Sequence, residues 1–329
     1  MKYDLVTIGD VMRDVFVFPS ISEMEKPLKR DGEKFLLFEH GDKISISNST
    51  QSIGGTAGNV AVGGAKMGLK TSILSVIGKD NEGEEIISVL SRAKVDLSKL
   101  KIDRTKKTSF SIIISYEGER SILVYHCFEP KDFELPKNLN TDWLFVGPLG
   151  ADYGSLYAKI TALAAEKNIS IALNPGSAQI KDGINAFGGL LRVAKIIFLN
   201  KEEAQELSGL KGVANIRDIM TIIKKTGVEN VIVTDGKDGA YAQTADNFYK
   251  IGPYPGHRID STGAGDAFTS AFLGGFIRGE KIFTCLQYGV TNSASVIEKI
   301  GAQEGLQSLE SIKKNIATYR WPSSTLRFE

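Results

Sequence analysis

Asp260-Ser261-Thr262-Gly263-Ala264-Gly265-Asp266 runs directly into the apolar stretch Ala267-Phe268-Thr269-Ser270-Ala271-Phe272-Leu273-Gly274-Gly275-Phe276. Small residues at a helix entrance let several backbone N–H groups turn outward together, and the helix dipole adds partial positive charge there. Gly263, Ala264 and Gly265 so placed form an anion hole built without side chains, and alanine at the middle position serves as well as glycine. Asp266 stands one position beyond this cradle, where the hydroxyl of a phosphoryl acceptor would lie. A carboxylate at that point can take the hydroxyl's proton during transfer. Its ordinary pKa of about 4 makes it a weak base toward an alcohol, so its value lies in position and late proton transfer. Asp266 could also serve as a charge complementing the helix dipole, but that leaves the glycines before it unexplained. The other common phosphate loop, G-x-x-x-x-G-K-[ST], is absent from the sequence.

Outward from this loop the chain alternates short apolar runs with helical patterns. The runs at 5–8, 71–77, 143–146, 169–173, 196–199 and 231–234 are apolar throughout rather than alternating, as strands covered on both faces are. Helical spacing occupies 157–167, 216–226 (ending at Gly227) and 283–300, and 240–243 with 247–251 reads as a hairpin. Alternating strands and helices predict an α/β fold with a doubly wound, mainly parallel sheet flanked by helices. Two segments break the rhythm. From Val15 to about Ile53 polar and apolar residues alternate, as in Lys43-Ile44-Ser45-Ile46-Ser47, and 108–114 with 121–125 reads as a hairpin around Glu117-Gly118-Glu119-Arg120.

Bulk properties narrow the function. With 329 residues, 42% hydrophobic and 24% charged, the chain fits one large α/β domain with an appendage. A net charge of +1 gives no electrostatic footprint for nucleic acid or a membrane surface. Cys127 and Cys285 are too few and too far apart for a disulfide framework or a zinc cluster. No apolar run is long enough to span a bilayer, and cytoplasmic residence is the expectation.

The motif 260–266 resembles the second signature of the ribokinase-like (PfkB) carbohydrate kinases, D-T-x-G-A-G-D. Three further matches follow the family's order: Gly54-Gly55-Thr56-Ala57-Gly58-Asn59, Asn200-Lys201-Glu202-Glu203 and Thr234-Asp235-Gly236-Lys237-Asp238-Gly239. The resemblance implies one kinase domain over 1–329 whose small β-sheet lid is formed by about 15–53 and 106–128. It implies transfer of the γ-phosphate of ATP, with Mg2+, to a hydroxyl of a small sugar or sugar derivative. A nucleoside kinase is the alternative on this scaffold, and a non-catalytic binding protein a remote one. Phe16, Phe18, Phe35 and Phe38 are available either to stack on a base or to fill the lid.

By the same resemblance Asp14, Gly54, Gly55 and Asn59 face the acceptor: a carboxylate and an amide suit vicinal hydroxyls, and paired glycines admit backbone close to a sugar. Asp10 reads as capping a strand turn. No strand pattern leads directly into Gly54 and Gly55, which argues against a dinucleotide loop. Asn200 and Glu203 would order magnesium-bound water and phosphate, although the pair fits a helix capping box equally well. Thr234, Gly236 and Gly239 would shape the nucleotide side; Asp235 receives no role. Asp260 and Thr262, with backbone near Lys299 and Gly301, either hold a monovalent cation such as K+ or pack two loops together. His126 reads as a structural residue on a lid strand. An exposed lid sheet invites pairing with a second copy, so a homodimer through the lid is expected.

Overall fold

The computed structural model describes all residues except 21–27, 31–32, 39, 42, 117–118, 211, 213, 322–326 and 329. In chain order, β1 (Tyr3–Ile8), β2 (Met12–Pro19), the short β3 (Leu28–Arg30) and β4 (Glu33–Phe35), and β5 (Ile46–Gly54) lead into α1 (Thr56–Lys66). Next come β6 (Thr71–Gly78), α2 (Asn81–Arg92), β7 (Leu100–Asp103), β8 (Phe110–Tyr116), β9 (Glu119–Tyr125) and β10 (Thr141–Val146). The middle of the chain holds α3 (Gly154–Lys167), β11 (Ser170–Leu173), α4 (Ser177–Asp182), α5 (Gly188–Val193), β12 (Ala194–Asn200) and α6 (Lys201–Ser208). The last third supplies α7 (Ile216–Lys224), β13 (Asn230–Thr234), β14 (Ala240–Gln243), β15 (Phe248–Ile251), α8 (Ala264–Ile277), α9 (Ile282–Val296), α10 (Leu309–Thr318) and β16 (Arg327–Phe328).

Ten strands form one sheet in the order β16-β15-β14-β13-β12-β11-β10-β1-β6-β7. Strands β7 to β13 pair in parallel, and β14 to β16 close the sheet antiparallel. The all-apolar runs have the covered-both-sides meaning expected of them. In β11, Ile171 and Leu173 pack into the core under α3, α5 and α7, while Ala172 between them faces the opposite core with Phe268 and Phe272 of α8 and Leu286 and Val290 of α9. The two cores define a doubly wound sheet whose ligand edge is the carboxyl ends of the parallel strands. Cys285 is buried in the second core and Cys127 is half-buried. Among the described residues no helix is long and apolar enough to cross a membrane.

The segments that broke the rhythm form a separate sheet, β5-β2-β8-β9. Its pairs are antiparallel except β2 with β8, which run parallel. β8 and β9 are the hairpin read at 108–114 and 121–125, but the sheet starts earlier than Val15: β2 begins at Met12, straight after β1, because alternation is already present in Met12, Asp14 and Phe16, whose side chains are all buried. The turn at Glu117 and Gly118 lies outside the described residues. The absence of a strand before Gly54 and Gly55 is also overturned, since β5 runs to Gly54 itself. Its alternation is polar on both faces over most of its length, which hid the strand from a hydrophobic reading. Helix α7 ends at Lys224, short of Gly227, and α3 starts at Gly154, three residues earlier than its apolar spacing showed.

Candidate active site

The loop 260–266 and the start of α8 border a cavity of about 690 Å3 at the carboxyl ends of the parallel strands. Gly263 adopts φ 76° and caps α8, and a Cβ there would lie 2.3 Å from that of Ala302. Only glycine fits both the left-handed backbone and the close approach. α8 therefore begins at Ala264, which places Gly265 and Asp266 in its first turn rather than ahead of it. At Gly265 the opposite holds: an added Cβ would meet nothing within 4 Å.

Asp266 is gripped from α1. Asn59 Nδ2 donates to Asp266 Oδ2 at 2.7 Å, and Thr56 supplies a second side-chain hydrogen bond. Burial pushes the Asp266 carboxyl above the ordinary carboxylate range, against the lowering effect of these two bonds. Asn59 is 3% exposed, and its Oδ1 accepts from Gln303 Nε2 at 2.9 Å. Both polar ends of the amide are thus engaged within the protein, and Asn59 supports Asp266 rather than standing free to face a diol.

Asp14 projects from β2 and is 6% exposed; Ser111 Oγ on β8 donates to its Oδ1 at 2.6 Å. A Cβ on Gly54 would sit 1.9 Å from Asp14 Oδ2, so the glycine is required by this carboxylate. Burial raises the Asp14 pKa to about 6, helped by the charges of Asp266 and Asp260, with the Ser111 bond and Arg13 opposing. The sign follows: the folded state holds this proton more tightly than the unfolded one, so ionised Asp14 destabilises the protein as pH rises from about 4 to 6. Asp14→Asn is expected to raise stability above pH 6 by about 1–3 kcal/mol. The gain should fade on acidification to pH 4, as read by denaturant melts at both pH values. A variant less stable than the parent at neutral pH would contradict this account.

The nucleotide-side residues meet at the same edge. Asn200 and Glu203 form a reciprocal capping box at the start of α6, with Glu203 N donating to Asn200 Oδ1 at 2.8 Å and Asn200 N to Glu203 Oε2 at 2.9 Å. Both nevertheless line the cavity, as do Thr234 and Gly236. Gly239 lines an adjoining apolar slot with Tyr254, Phe268, Val290 and Ile297, and that slot shares Ala264 and Gly265 with the main cavity. Burial raises the Glu203 carboxyl, opposed by the Asn200 N–H. Asp235 is engaged by Lys201 Nζ at 2.9 Å. Asp260 accepts through Oδ1 from Thr262 N at 3.0 Å and Thr262 Oγ1 at 2.8 Å, and through Oδ2 from Gly301 N at 3.1 Å. These bonds tie the two loops together.

Asp14, Gly54, Gly55 and Asn59 do not line the main cavity. Asp10 is no strand cap: its Oδ2 lies 2.8 Å from Nδ1 of His126, which sits one residue past β9 and whose pKa is raised by that carboxylate. Four contributors escaped the sequence reading. Thr56 and Gln303 act on Asp266 directly or through Asn59. Arg120 on β9 lines the cavity and donates from Nη1 to Ser261 Oγ, and Lys237 lines it as well. Thr56 lay inside a quoted motif; no local pattern marks Gln303 or Arg120.

A helix entrance of small residues beside a held carboxylate, at the ligand edge of a doubly wound sheet, suits a phosphotransferase acting on an alcohol group, a kinase of small molecules. Over residues 17–309 the sequence matches the model of the pfkB family carbohydrate kinases, and the chain belongs to that family. It is similar to a 5-dehydro-2-deoxygluconokinase of Shouchella clausii, 28% identical over 80% of this chain and 86% of that protein. It is also similar to a ribokinase of Staphylococcus aureus, 26% identical over 86% of this chain and 95% of that one. A solved structure of Arabidopsis thaliana ribokinase complexed with ribose and ATP superposes with a TM-score of 0.77 at 20% identity, covering 97% and 100% of the two chains.

Proposed function

We propose that the protein transfers the γ-phosphoryl group of ATP to a hydroxyl, most simply a hydroxymethyl, of a small sugar or sugar derivative, with Asp266 as the general base. The observation that carries the reading is Asp266 itself, held by Asn59 and Thr56 beside open space at Gly265 in the first turn of α8. Backbone N–H groups of Gly263, Ala264 and Gly265 receive charge on the transferring phosphoryl. The purine would take the apolar slot between Gly239, Tyr254 and Phe268. Asp14 on the lid would accept from acceptor hydroxyls, and Gly54 and Gly55 would let the sugar approach the backbone. Closure of the lid sheet would exclude water.

Among the described residues no cluster of three or more histidine, cysteine or acidic side chains is built to cage a metal. Glu203 and Asn200 beside the cavity fit Mg2+ carried on ATP and held through water, since Mg2+ keeps much of its hydration shell. When bound it would neutralise charge on the transferred phosphate.

The nucleoside alternative loses one of its stacking candidates, because Phe16 is 1% exposed and belongs to the lid core. A coupled ADP-release assay over ribose, 5-dehydro-2-deoxygluconate, hexoses and adenosine tests the reading. Turnover of a sugar or sugar derivative is expected; turnover of adenosine alone would replace the acceptor class, and none at all would leave a binding protein.

β9 is the outer strand of the lid sheet, and Ile122, Leu123, Val124 and Tyr125 on it are 45–59% exposed. Unpaired edges bearing apolar residues favour strand addition. A dimer through the lid is expected by light scattering, reduced to monomer by Leu123→Glu. A monomeric parent protein at high concentration would remove the dimer and leave the kinase reading intact.

A further inference from the structure

Gln303 lies in the loop that follows α9, far in sequence from the residues it serves. The loop is pinned on two sides and closed on itself: Gly301 N donates to Asp260 Oδ2 at 3.1 Å, Ala302 fills the space beside Gly263, and within the loop Leu306 N donates to Gln303 O at 3.2 Å. Gln303 Nε2 therefore meets Asn59 Oδ1 from a fixed frame, at 2.9 Å. The Asn59 amide, turned over, would occupy the same volume, so its orientation is decided by its partners alone. One end of that amide faces Asp266, which when ionised can only accept. We propose that Gln303 is a positioning residue for phosphoryl transfer, whose N–H fixes the Asn59 carbonyl and so turns the Asn59 N–H toward Asp266, holding the base aimed at the acceptor.

The reversed amide would set the Asn59 oxygen against the Asp266 carboxylate, in a site where few groups could offset the repulsion. The charge of Asp266 raises the carboxyls of Asp14 on β2 and Glu203 on α6, so its surroundings include acidic groups. Arg120 and Lys237 line the same cavity, but Arg120 donates to Ser261. Asn59 and Thr56 are the hydrogen-bonding side chains that favour the ionised form. The Gln303 donor thus bears on the proton affinity of Asp266 two bonds away, without touching substrate.

The inference rests on the reading of Asp266 as the base, and the experiment separates the two. In full-length, ligand-free protein the side-chain carboxyls of 13C-labelled aspartate are titrated by NMR, with Asp266 identified by the resonance lost in Asp266→Asn. Gln303→Met removes the donor; Gln303→Glu replaces it with an acceptor that invites the amide to turn over. The Asp266 midpoint is expected to rise in both, by about one pH unit in Gln303→Met and further in Gln303→Glu. With ATP–Mg2+ and ribose or 5-dehydro-2-deoxygluconate, kcat should fall about tenfold or more at neutral pH while the KM for ATP holds. An unchanged midpoint in Gln303→Met overturns the proposal, and so does a lowered melting temperature with an unmoved midpoint, which marks a purely structural residue. If Gln303→Glu does not fold, Gln303→Met decides alone. Full turnover by Asp266→Asn would sink the general-base reading, and with it the catalytic part of this proposal, whatever the titration shows.

Discussion

Asp266→Asn is expected to lower turnover by about 10²–10⁴-fold while leaving the fold and ATP affinity intact. The substitution is nearly isosteric, and an amide oxygen can still accept from Asn59 and Thr56. Burial already disfavours the charge at this position, so its removal should not weaken the folded state. If Asp266 merely complemented the dipole of α8, the loss would be about 0.3–1 kcal/mol of stability with rate unaffected. Turnover and a thermal melt on the same sample separate these outcomes, and near-parental turnover would defeat the assignment. In the parent enzyme the direction of the Asp266 shift fixes a further sign. Activity should decline on acidification at a pH above the usual carboxylate range, because protonation removes the base.

Gly265→Val should produce a comparable loss by a different route. Nothing surrounds the position an added Cβ would take, so the side chain enters the space where the proposed mechanism puts the phosphoryl oxygens rather than colliding with protein. A loss of about 10²–10³-fold in kcat is expected, the scale of losing a preorganised anion-hole donor, with weakened ATP binding beside it. Gly265→Ala should be the milder version and more stable than the parent by up to about 1 kcal/mol, because alanine favours the helix. Gly263→Ala is the contrast: strained backbone and the encounter with Ala302 should compromise folding itself. Undiminished kcat in Gly265→Val would show that the loop does not carry the transferring group.

The sheet could be read from the chain because burial on both faces writes a continuous apolar run, as in Val231-Ile232-Val233. The helix entrance at 260–266 was legible for a related reason: its glycines and carboxylate lie within seven consecutive residues that open α8. The lid was less so. β5 carries Ser47, Asn48, Ser49 and Thr50, exposed or nearly so, and the alternation read in Lys43–Ser47 reaches only its first two residues. Asn200 and Glu203 illustrate a second limit, since capping geometry and cavity lining coincide in the same side chains. Arg120 and Gln303 illustrate a third: each reaches the site through space, from a strand and a loop whose local sequence announces nothing.

The hydrogen bond from Asn59 to Asp266 joins positions 207 residues apart, and that from Gln303 to Asn59 spans 244. During synthesis at about 5–20 residues per second, roughly 10–40 s separate the emergence of Asn59 from that of Asp266. Within that interval the residues of β10, which pairs with β1, emerge, while the loop 260–266 does not yet exist. A nascent chain or an early truncation can therefore present part of the ligand edge without the carboxylate proposed as the base. On the proposed mechanism, catalytic competence waits for the last third of the chain.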